Sequence, residues 1–374
     1  MYDIYCLSLL FSVLGVYYLN KKNRVIAIIL FVLSIGLYQS YIQVATGLLF
    51  LLVLKQLLSN DDSNVFKDLF KQLLIVGVAI IIYFICAILA SKITGVDLSS
   101  TSNSITSILE KNPLTIIINL IKLFGAFGYY IIYPYTFHPF ISGCLNTSLF
   151  LICVYQFLIN IKDYNKTRSI KIILLVVLYP LAVTFLYIVA NQTFHNLLTY
   201  SFSLFYLLIL VYLESLNNIP RKLNYAIKIM FIILCLNNFL YSNNIYHRKI
   251  FEAKKTDLIM NQMILDIYGH EDYVKDKTIV VLIGNANGSP LFLKPLSYYE
   301  DNRKLSTVGL FSHSSITYSY SFYINTQLGY DMKIENISEE MKNNSIIKEM
   351  PLYPSKGSIK MIDGKLYVKV SNDY

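Results

Sequence analysis

The chain has 374 residues, 55% of them hydrophobic and only 15% charged, and its mean hydropathy is +0.51. Soluble domains carry about a quarter charged residues, so an ordinary water-soluble globule is excluded. The formal net charge of +9 does not mark a nucleic-acid-binding face. The lysines and arginines stand in short loops between apolar runs, where they set orientation in a membrane.

A hydrocarbon core about 30 Å thick takes about 20 apolar helical residues to cross. On that basis spans are predicted near residues 3–19, 24–38, 41–57, 72–90, 143–160, 170–190, 198–216 and 226–242. The run from Val25 to Leu58 would reach about 50 Å as one helix. It is therefore read as two antiparallel helices joined at the polar break Tyr38-Gln39-Ser40-Tyr41. Residues 114–135 are apolar but carry Lys122 and a break at Gly125 and Gly128. They are read as an amphipathic or re-entrant helix within an outer loop spanning 91–142, since irregular backbone is tolerated at membrane depth where it lines a protein cavity.

The loops at Lys21/Lys22/Arg24, Lys55/Lys67/Lys71, Lys162/Lys166/Arg168/Lys171 and Arg221/Lys222/Lys228 are basic, which makes them cytoplasmic by the positive-inside rule. The alternation then leaves both termini outside. An ordinary crossing by 114–135 would move the two later basic loops outside and the C-terminal region inside. Met1-Tyr2-Asp3 leads straight into an apolar helix with no basic segment before it, so the chain reads as a fragment or as starting at an incorrect position. All five cysteines, Cys6, Cys86, Cys144, Cys153 and Cys235, fall in apolar segments without a CxxC pair and read as small buried hydrophobes. Trp is absent, and the 32 tyrosines are the expected interfacial anchors.

The division expected is a multi-span domain at 1–242 and a water-soluble α/β domain at 243–374. In the latter, residues 244–268 form a helix running on from the last span, with a stripe of Ile250, Leu258, Ile259, Met263 and Ile267. Thr278–Ile283 is a β-branched run closed by Gly284, a buried-strand pattern. Gly284-Asn285-Ala286-Asn287-Gly288 lacks the Lys-Ser/Thr and helix of a phosphate loop. Asp363-Gly364 between two alternating runs predicts a tight hairpin. Nothing in this domain has a catalytic pattern.

Two stretches carry a family likeness. One is Leu33-Ser34-Ile35-Gly36-Leu37-Tyr38-Gln39-Ser40-Tyr41, preceded by Asp3-Ile4-Tyr5; the other is the tail, Met350-Pro351, Tyr353-Pro354, Gly357-Ser358-Ile359 and Tyr367-Val368-Lys369-Val370. Together they resemble the Gtr type II glucosyltransferases of bacteria and phages, which are similar to other GT-C-type, polyprenyl-phosphate-dependent membrane glycosyltransferases. The resemblance implies a GT-C-like fold of about eight spans in the plasma (inner) membrane, with the C-terminal domain extracytoplasmic. It also implies glucose, or another hexose, moving from a lipid-phosphate carrier to a cell-surface polysaccharide such as O-antigen, teichoic acid or a wall glycan. That family has further spans and an acidic first outer loop upstream of Asp3, and the loop normally supplies the carboxylate, which puts the activity of this chain alone in question.

Such a transfer needs a carboxylate to deprotonate the acceptor and cations or dipoles for the phosphate leaving group. Outside the C-terminal domain, the outer-face acids are Asp3, Asp97 and Glu110. Asp3 starts a helix at the membrane surface and matches a family position, so it is the candidate general base, with a helix N-cap as its plainer reading. Tyr38, Gln39 and Tyr41 are candidates to line the sugar or acceptor site, or are a polar turn with interfacial tyrosines. His195 is a candidate phosphate ligand, or an exposed or capping histidine. Lys122 either meets the carrier phosphate or snorkels to the surface. No His/Asp/Glu cluster has ligand spacing, so no bound metal or cofactor is expected, although the same geometry admits a divalent-cation enzyme. The expected partners are the lipid-linked donor, the polysaccharide acceptor and the bilayer, without nucleic acid. Two other readings stand beside this one: a polysaccharide polymerase or flippase-type membrane protein, and a non-catalytic remnant of the glycosyltransferase fold.

Overall fold

The computed structural model describes residues 2–59, 64–95, 113–134, 138–161, 164–190, 200–216, 219–284 and 320–372. The chain divides into two units, Met1–Asn237 and Asn238–Tyr374. The candidates Asp97, Glu110 and His195, and the segment after Gly284, lie outside the described residues.

The first unit is helical: α1 (Tyr2–Asn20), α2 (Arg24–Leu37), a 3₁₀ turn (Gln39–Tyr41), α3 (Ile42–Leu58), α4 (Val65–Thr94), α5 (Pro113–Ile132), α6 (Pro139–Asn160), α7 (Lys166–Ala190), a second 3₁₀ turn (Tyr200–Ser203), α8 (Leu204–Glu214) and the first part of α9 (Arg221–Tyr268). Five segments are long and apolar enough to cross a bilayer: Gln39–Leu58, Val65–Thr94, Pro139–Asn160, Lys166–Leu186 and Arg221–His247. The chain is a membrane protein.

Burial separates core helices from peripheral ones. In the Gln39–Leu58 span 72% of the apolar window is buried, against 11% in Val65–Thr94, so α3 is the hub and α4 a peripheral helix. Around α3 pack α1, α4, α7 and α8. Gly47 permits the closest of these approaches: a Cβ there would lie 2.6 Å from Leu204 and 2.8 Å from Val183, and small residues are what let membrane helices close up.

The helix α7 bends inside the unit. Pro180 lacks the N–H that would continue the ladder, and Thr184 leaves helical geometry at φ −142°, ψ 15°. The carbonyls released find hydroxyl donors nearby. Thr184 donates to the Pro180 carbonyl at 2.6 Å, Thr46 of α3 donates to that of Ala182, and Ser201 donates to that of Val183. Water is not available in hydrocarbon to do this.

The start of α6 is closed by a side chain from α9. Asn237 accepts the His138 N–H at 2.9 Å and donates to the His138 carbonyl at 3.1 Å and to the Ser142 hydroxyl at 2.6 Å. One residue on, Gly143 lies directly against the end of α5. A Cβ at Gly143 would sit 1.7 Å from the Ile132 carbonyl oxygen. At the opposite end of α6, Arg168 is buried at 6% exposure; its Nε donates to the Leu57 carbonyl at the end of α3, and its guanidinium lies 4.7 Å over the Tyr164 ring.

Three expectations are corrected. Within the predicted span 198–216 the described residues hold a four-residue 3₁₀ turn followed by the 11-residue α8, an apolar helix shorter than the five above, as are α1 and α2. Ser203 turns its hydroxyl back onto the Tyr200 carbonyl at 2.6 Å, favouring a turn there. Helix α5 runs unbroken through Gly125 and Gly128, because a glycine lowers helix stability without ending the helix. The cysteines are not buried: Cys6, Cys86, Cys144 and Cys235 are exposed and Cys153 half-buried. An apolar segment in a bilayer turns one side to lipid, so apolar character does not imply burial.

The third correction concerns the second unit, built on the end of α9 and a sheet of β1 (Ile279–Ile283), β2 (Ile334–Glu335), β3 (Ile359–Ile362) and β4 (Lys365–Lys369) in the order β2-β1-β4-β3. A π-helical turn (Phe322–Gln327) and two short helices, α10 (Glu339–Lys342) and α11 (Ser345–Glu349), complete it. Strand β1 pairs in parallel with both β2 and β4, which is why it reads as an unbroken apolar run. The β3–β4 hairpin turns at Asp363 (φ 48°) and Gly364 (φ 77°), the left-handed pair of a type I′ turn. On one face of the sheet Val280, Leu282, Leu366 and Val368 pack with Met260, Met263, Ile264 and Ile267 of α9; on the other, Val281, Ile283 and Tyr367 pack with Ile347 and Met350. The buried face of α9 therefore includes Met263 and Ile267 but not Leu258, which is 74% exposed; the predicted stripe mixed two phases of the helix.

Buried tyrosines tie this unit to α9. Tyr323 donates to Asp257, and Tyr353 donates to Asp266 at 2.6 Å. Burial first, and the carboxylate partner second, raise both phenols above the ordinary value of 10.0. A raised folded value contributes stability that is complete below the unfolded value of about 10 and is lost as pH rises through the folded one.

Two expectations follow for stability. Gly143→Ala must displace α5 and is expected to lower the thermal midpoint in detergent by about 3–10 °C, whereas Gly77→Ala, with open space around the new methyl, leaves it unchanged. Unfolding of the second unit followed by circular dichroism should be independent of pH up to about 10 and weaken above it. Tyr353→Phe should lower that plateau by about 1.5–3 kcal/mol and remove part of the alkaline loss.

Candidate functional site

The break between α2 and α3 gathers most of the polar groups predicted to matter. Tyr38 leaves helical geometry at φ −158°, ψ 106°, and the 3₁₀ turn Gln39–Tyr41 follows. A chain that changes direction between two apolar helices exposes carbonyls, and α1 supplies the donors. Ser8 donates to the Ser34 carbonyl at 2.8 Å and to that of Tyr38 at 3.2 Å; Ser34 returns its hydroxyl to the Ser8 carbonyl at 2.9 Å; Ser12 donates to the Tyr41 carbonyl at 2.7 Å. The turn is thereby held rigidly on α1.

Its side chains form a chain of rings. Tyr5 of α1 meets Tyr38 edge-on at 4.8 Å, Tyr38 meets Tyr41 at 5.2 Å, and Tyr41 meets Tyr200 at 5.6 Å. Tyr5 and Tyr38 are half-buried, Tyr41 is buried at 6% exposure and Tyr200 is open at 47%, so the row passes through the interior and reaches the surface at Tyr200. Gln39 is exposed and donates its amide to the Tyr83 hydroxyl of α4 at 2.9 Å. Below the turn, Gln43 is buried at 1% exposure and donates to the Ser40 carbonyl at 3.3 Å. These side chains are neutral, with ring faces and amide and hydroxyl groups side by side. That combination suits a polyol such as a sugar, and it holds no acid or base of its own for proton transfer.

Of the predicted site residues, Tyr38, Gln39 and Tyr41 are brought together. Asp3 is the second residue of α1, two places before Tyr5, which puts its backbone at the same end of α1 as the ring row and within the helix rather than at its cap. Lys122 is not brought to the cluster. It stands on the exposed face of α5 with Ile118, Ile121 and Phe124, whereas the buried face is Asn119, Leu123 and Phe127. Three tyrosines at this turn are not among the predicted site residues: Tyr5 and Tyr200 of the ring row, and Tyr83, which accepts from Gln39. The serine pair Ser8/Ser12, four apart in an otherwise apolar helix, was the available signal that α1 carries a buried polar stripe.

A separate cavity of about 170 Å³ lies among α3, α6, α7 and α8, lined by residues such as Leu54, Phe150, Phe157, Val176 and Ile209. Its wall is apolar, and Leu54 is thirteen residues from Tyr41, about 20 Å along α3. Apart from Cys153 and Tyr212 its lining residues are hydrocarbon side chains, which suits it to an apolar occupant. Among the described residues no group of three His, Cys, Asp or Glu side chains is placed to hold a metal ion.

Comparison with protein families matches residues 3–213, more than half of the chain, to the family described as glucosyl transferase GtrII. The matched stretch takes in Asp3, the serines of α1, the ring row and both 3₁₀ turns. No curated protein and no solved structure matches the chain.

The hydroxyl lock on the turn gives a direct test. Ser12→Ala leaves the buried Tyr41 carbonyl without its donor and is expected to cost about 1–3 kcal/mol, read as a lowered thermal midpoint. Ser59→Ala, which removes an exposed hydroxyl from the Gln56 carbonyl, should leave the midpoint where it is.

Proposed function

Because the chain belongs to the GtrII glucosyltransferase family, we propose that it moves glucose from a polyprenyl-phosphate carrier to a cell-surface polysaccharide at the outer face of the plasma membrane. Family membership makes the chain a glycosyltransferase working between a sugar donor and an acceptor; the carrier, the acceptor and the side of the membrane are our reading. The observation that carries it is the placing of the family-like Tyr38–Tyr41 stretch as a rigid, ring-lined turn inside the matched region.

In the proposed reaction an acceptor hydroxyl oxygen attacks the anomeric carbon as the bond from that carbon to the phosphate oxygen breaks. The bonding pair leaves on the phosphate, and the acceptor proton passes to a carboxylate. Asp3 is assigned that carboxylate. Tyr38, Gln39 and Tyr41 are assigned the sugar, through ring faces and amide hydrogen bonds. His195 is assigned to the departing phosphate, and Lys122, on the exposed side of α5 and away from the ring row, is left the snorkelling role. No metal is required in this scheme. The apolar cavity 20 Å or so along α3 from the turn supports a lipid-linked donor, since a long isoprenoid chain needs apolar surface far from its headgroup. The basic loops support an orientation with the second unit outside, with α5 kept at the outer side.

The test is transfer of radiolabelled glucose from polyprenyl-phosphate-glucose to envelope glycan in membranes containing the full chain. Transfer is expected, with Tyr38→Ala and Asp3→Asn each lowering kcat/KM by at least about tenfold at unchanged protein level. Transfer by the parent chain that both variants retain would remove these residues from the site. No transfer from this donor, with transfer from a nucleotide-linked sugar instead, would overturn the carrier.

A further inference from the structure

The tyrosines of the second unit fall into two sets. Tyr320, Tyr323 and Tyr353 are nearly fully buried, and their hydroxyls are engaged by the Gly284 carbonyl, Asp257 and Asp266 respectively. They close the core. Tyr268, Tyr273 and Tyr330 are different: each is only half-buried, and they cluster with one another at the edge of that core. The Tyr268 ring lies 5.1 Å from that of Tyr273 and 5.9 Å from that of Tyr330, tilted by 54° and 55°.

Polar groups surround the three rings. Tyr330 donates to Asn261 at 3.1 Å, and Asp257, Asn261 and Tyr268 recur at helical spacing along one side of α9. The Tyr273 phenol feels the carboxylates of Asp276 and Asp331 and is pushed up to about 12, by burial first and Tyr268 second, so it stays a neutral donor and acceptor at physiological pH. Lys333 reaches the Asp276 carbonyl at 2.6 Å, and the next turn carries His270 with Asp272 at 3.7 Å. The patch is mixed in charge, with hydrogen-bonding groups on its rim and aromatic faces at its centre.

We propose that this tyrosine cluster is a binding platform for a neutral glycan, and that it holds the acceptor polysaccharide; the second clause rests on the function proposed above. A pyranose ring has one face of C–H groups that lies on an aromatic ring and a rim of hydroxyls that pairs with amides, phenols and carboxylates. Tyrosine supplies large, rigid contact area with a polar tip at small entropic cost. The Asp276 and Asp331 carboxylates beside Tyr273 accept hydroxyl protons and oppose a phosphodiester polymer, which selects a neutral chain over a polyanion.

The experiment uses the full chain in detergent and two readouts. The first is saturation-transfer NMR with hexasaccharides of glucose, galactose and N-acetylglucosamine, and with polyglycerol phosphate as the anionic comparison. The second is the KM for envelope glycan in the glucose-transfer assay. The variants are Tyr268→Leu, which keeps apolar bulk but loses the ring, Tyr330→Ala, and Tyr330→Phe as the control that keeps the ring. Expected are saturation of at least one neutral oligosaccharide, lost in Tyr268→Leu and Tyr330→Ala, and a rise of fivefold or so in acceptor KM with kcat and donor KM held; Tyr330→Phe should stay close to the parent. Binding of polyglycerol phosphate alone, binding of none, or equal signals in folded parent and variants would overturn the platform. A chain that binds neutral glycan through these tyrosines but transfers no glucose would keep the platform and overturn the function.

Discussion

Hydrocarbon offers no hydrogen-bond partners, so every backbone group that leaves a helix ladder inside the first unit has to be met by another protein group. Two departures shape the bundle, the turn at Tyr38–Tyr41 and the bend at Pro180–Thr184, and both are met by hydroxyls. Ser8 and Ser12 close the first; Thr46, Thr184 and Ser201 close the second. Thr46 stands on α3 one turn beyond the first break and donates at the second, so one helix registers both. Asn237 does the equivalent service for the start of α6. The ring row rests on this arrangement, since its positions follow from a backbone that has no freedom to rearrange without losing donors.

Much of this was legible in the chain. Length and hydropathy located the helices, and the polar Tyr38–Tyr41 stretch located the first turn, because an apolar run of that length has to fold back on itself within a bilayer. The Asp363-Gly364 pair located the hairpin through the backbone geometry that only such residues adopt with ease. Other features could not be read. Apolar character does not separate a side that faces lipid from one that faces protein, which is why the cysteines were placed inside and are exposed. Tyr83 and Tyr200 could not be joined to Tyr38 and Tyr41 from sequence, since they come from helices whose neighbours are set by packing, and Lys122 needed the helix phase of α5 to be placed on its outer side.

The family places the chain among glucosyltransferases, and the matched region ends at the close of α8. The second unit lies beyond it. On the function and the platform proposed above, the division matches two tasks, a ring-lined turn in the membrane unit for the sugar of the donor and a tyrosine cluster on the sheet unit for the acceptor. The two sites share a chemistry, neutral rings edged with hydrogen-bonding groups, and differ in what surrounds them: packed helix in one, an open edge with charged side chains in the other.

Arg168 has an implication of its own. It belongs to a basic loop whose charge counts in membrane orientation, and it is also a buried clamp, capping the end of α3 and stacked on Tyr164. The two roles tolerate different replacements. A lysine would keep the sign that insertion reads but lose the planar fork and the stacking face; a neutral planar side chain would keep part of the packing and lose the sign. Sequence drift at this position is therefore confined from two directions at once, by the cell's insertion machinery and by the finished fold, and arginine is the residue that answers both.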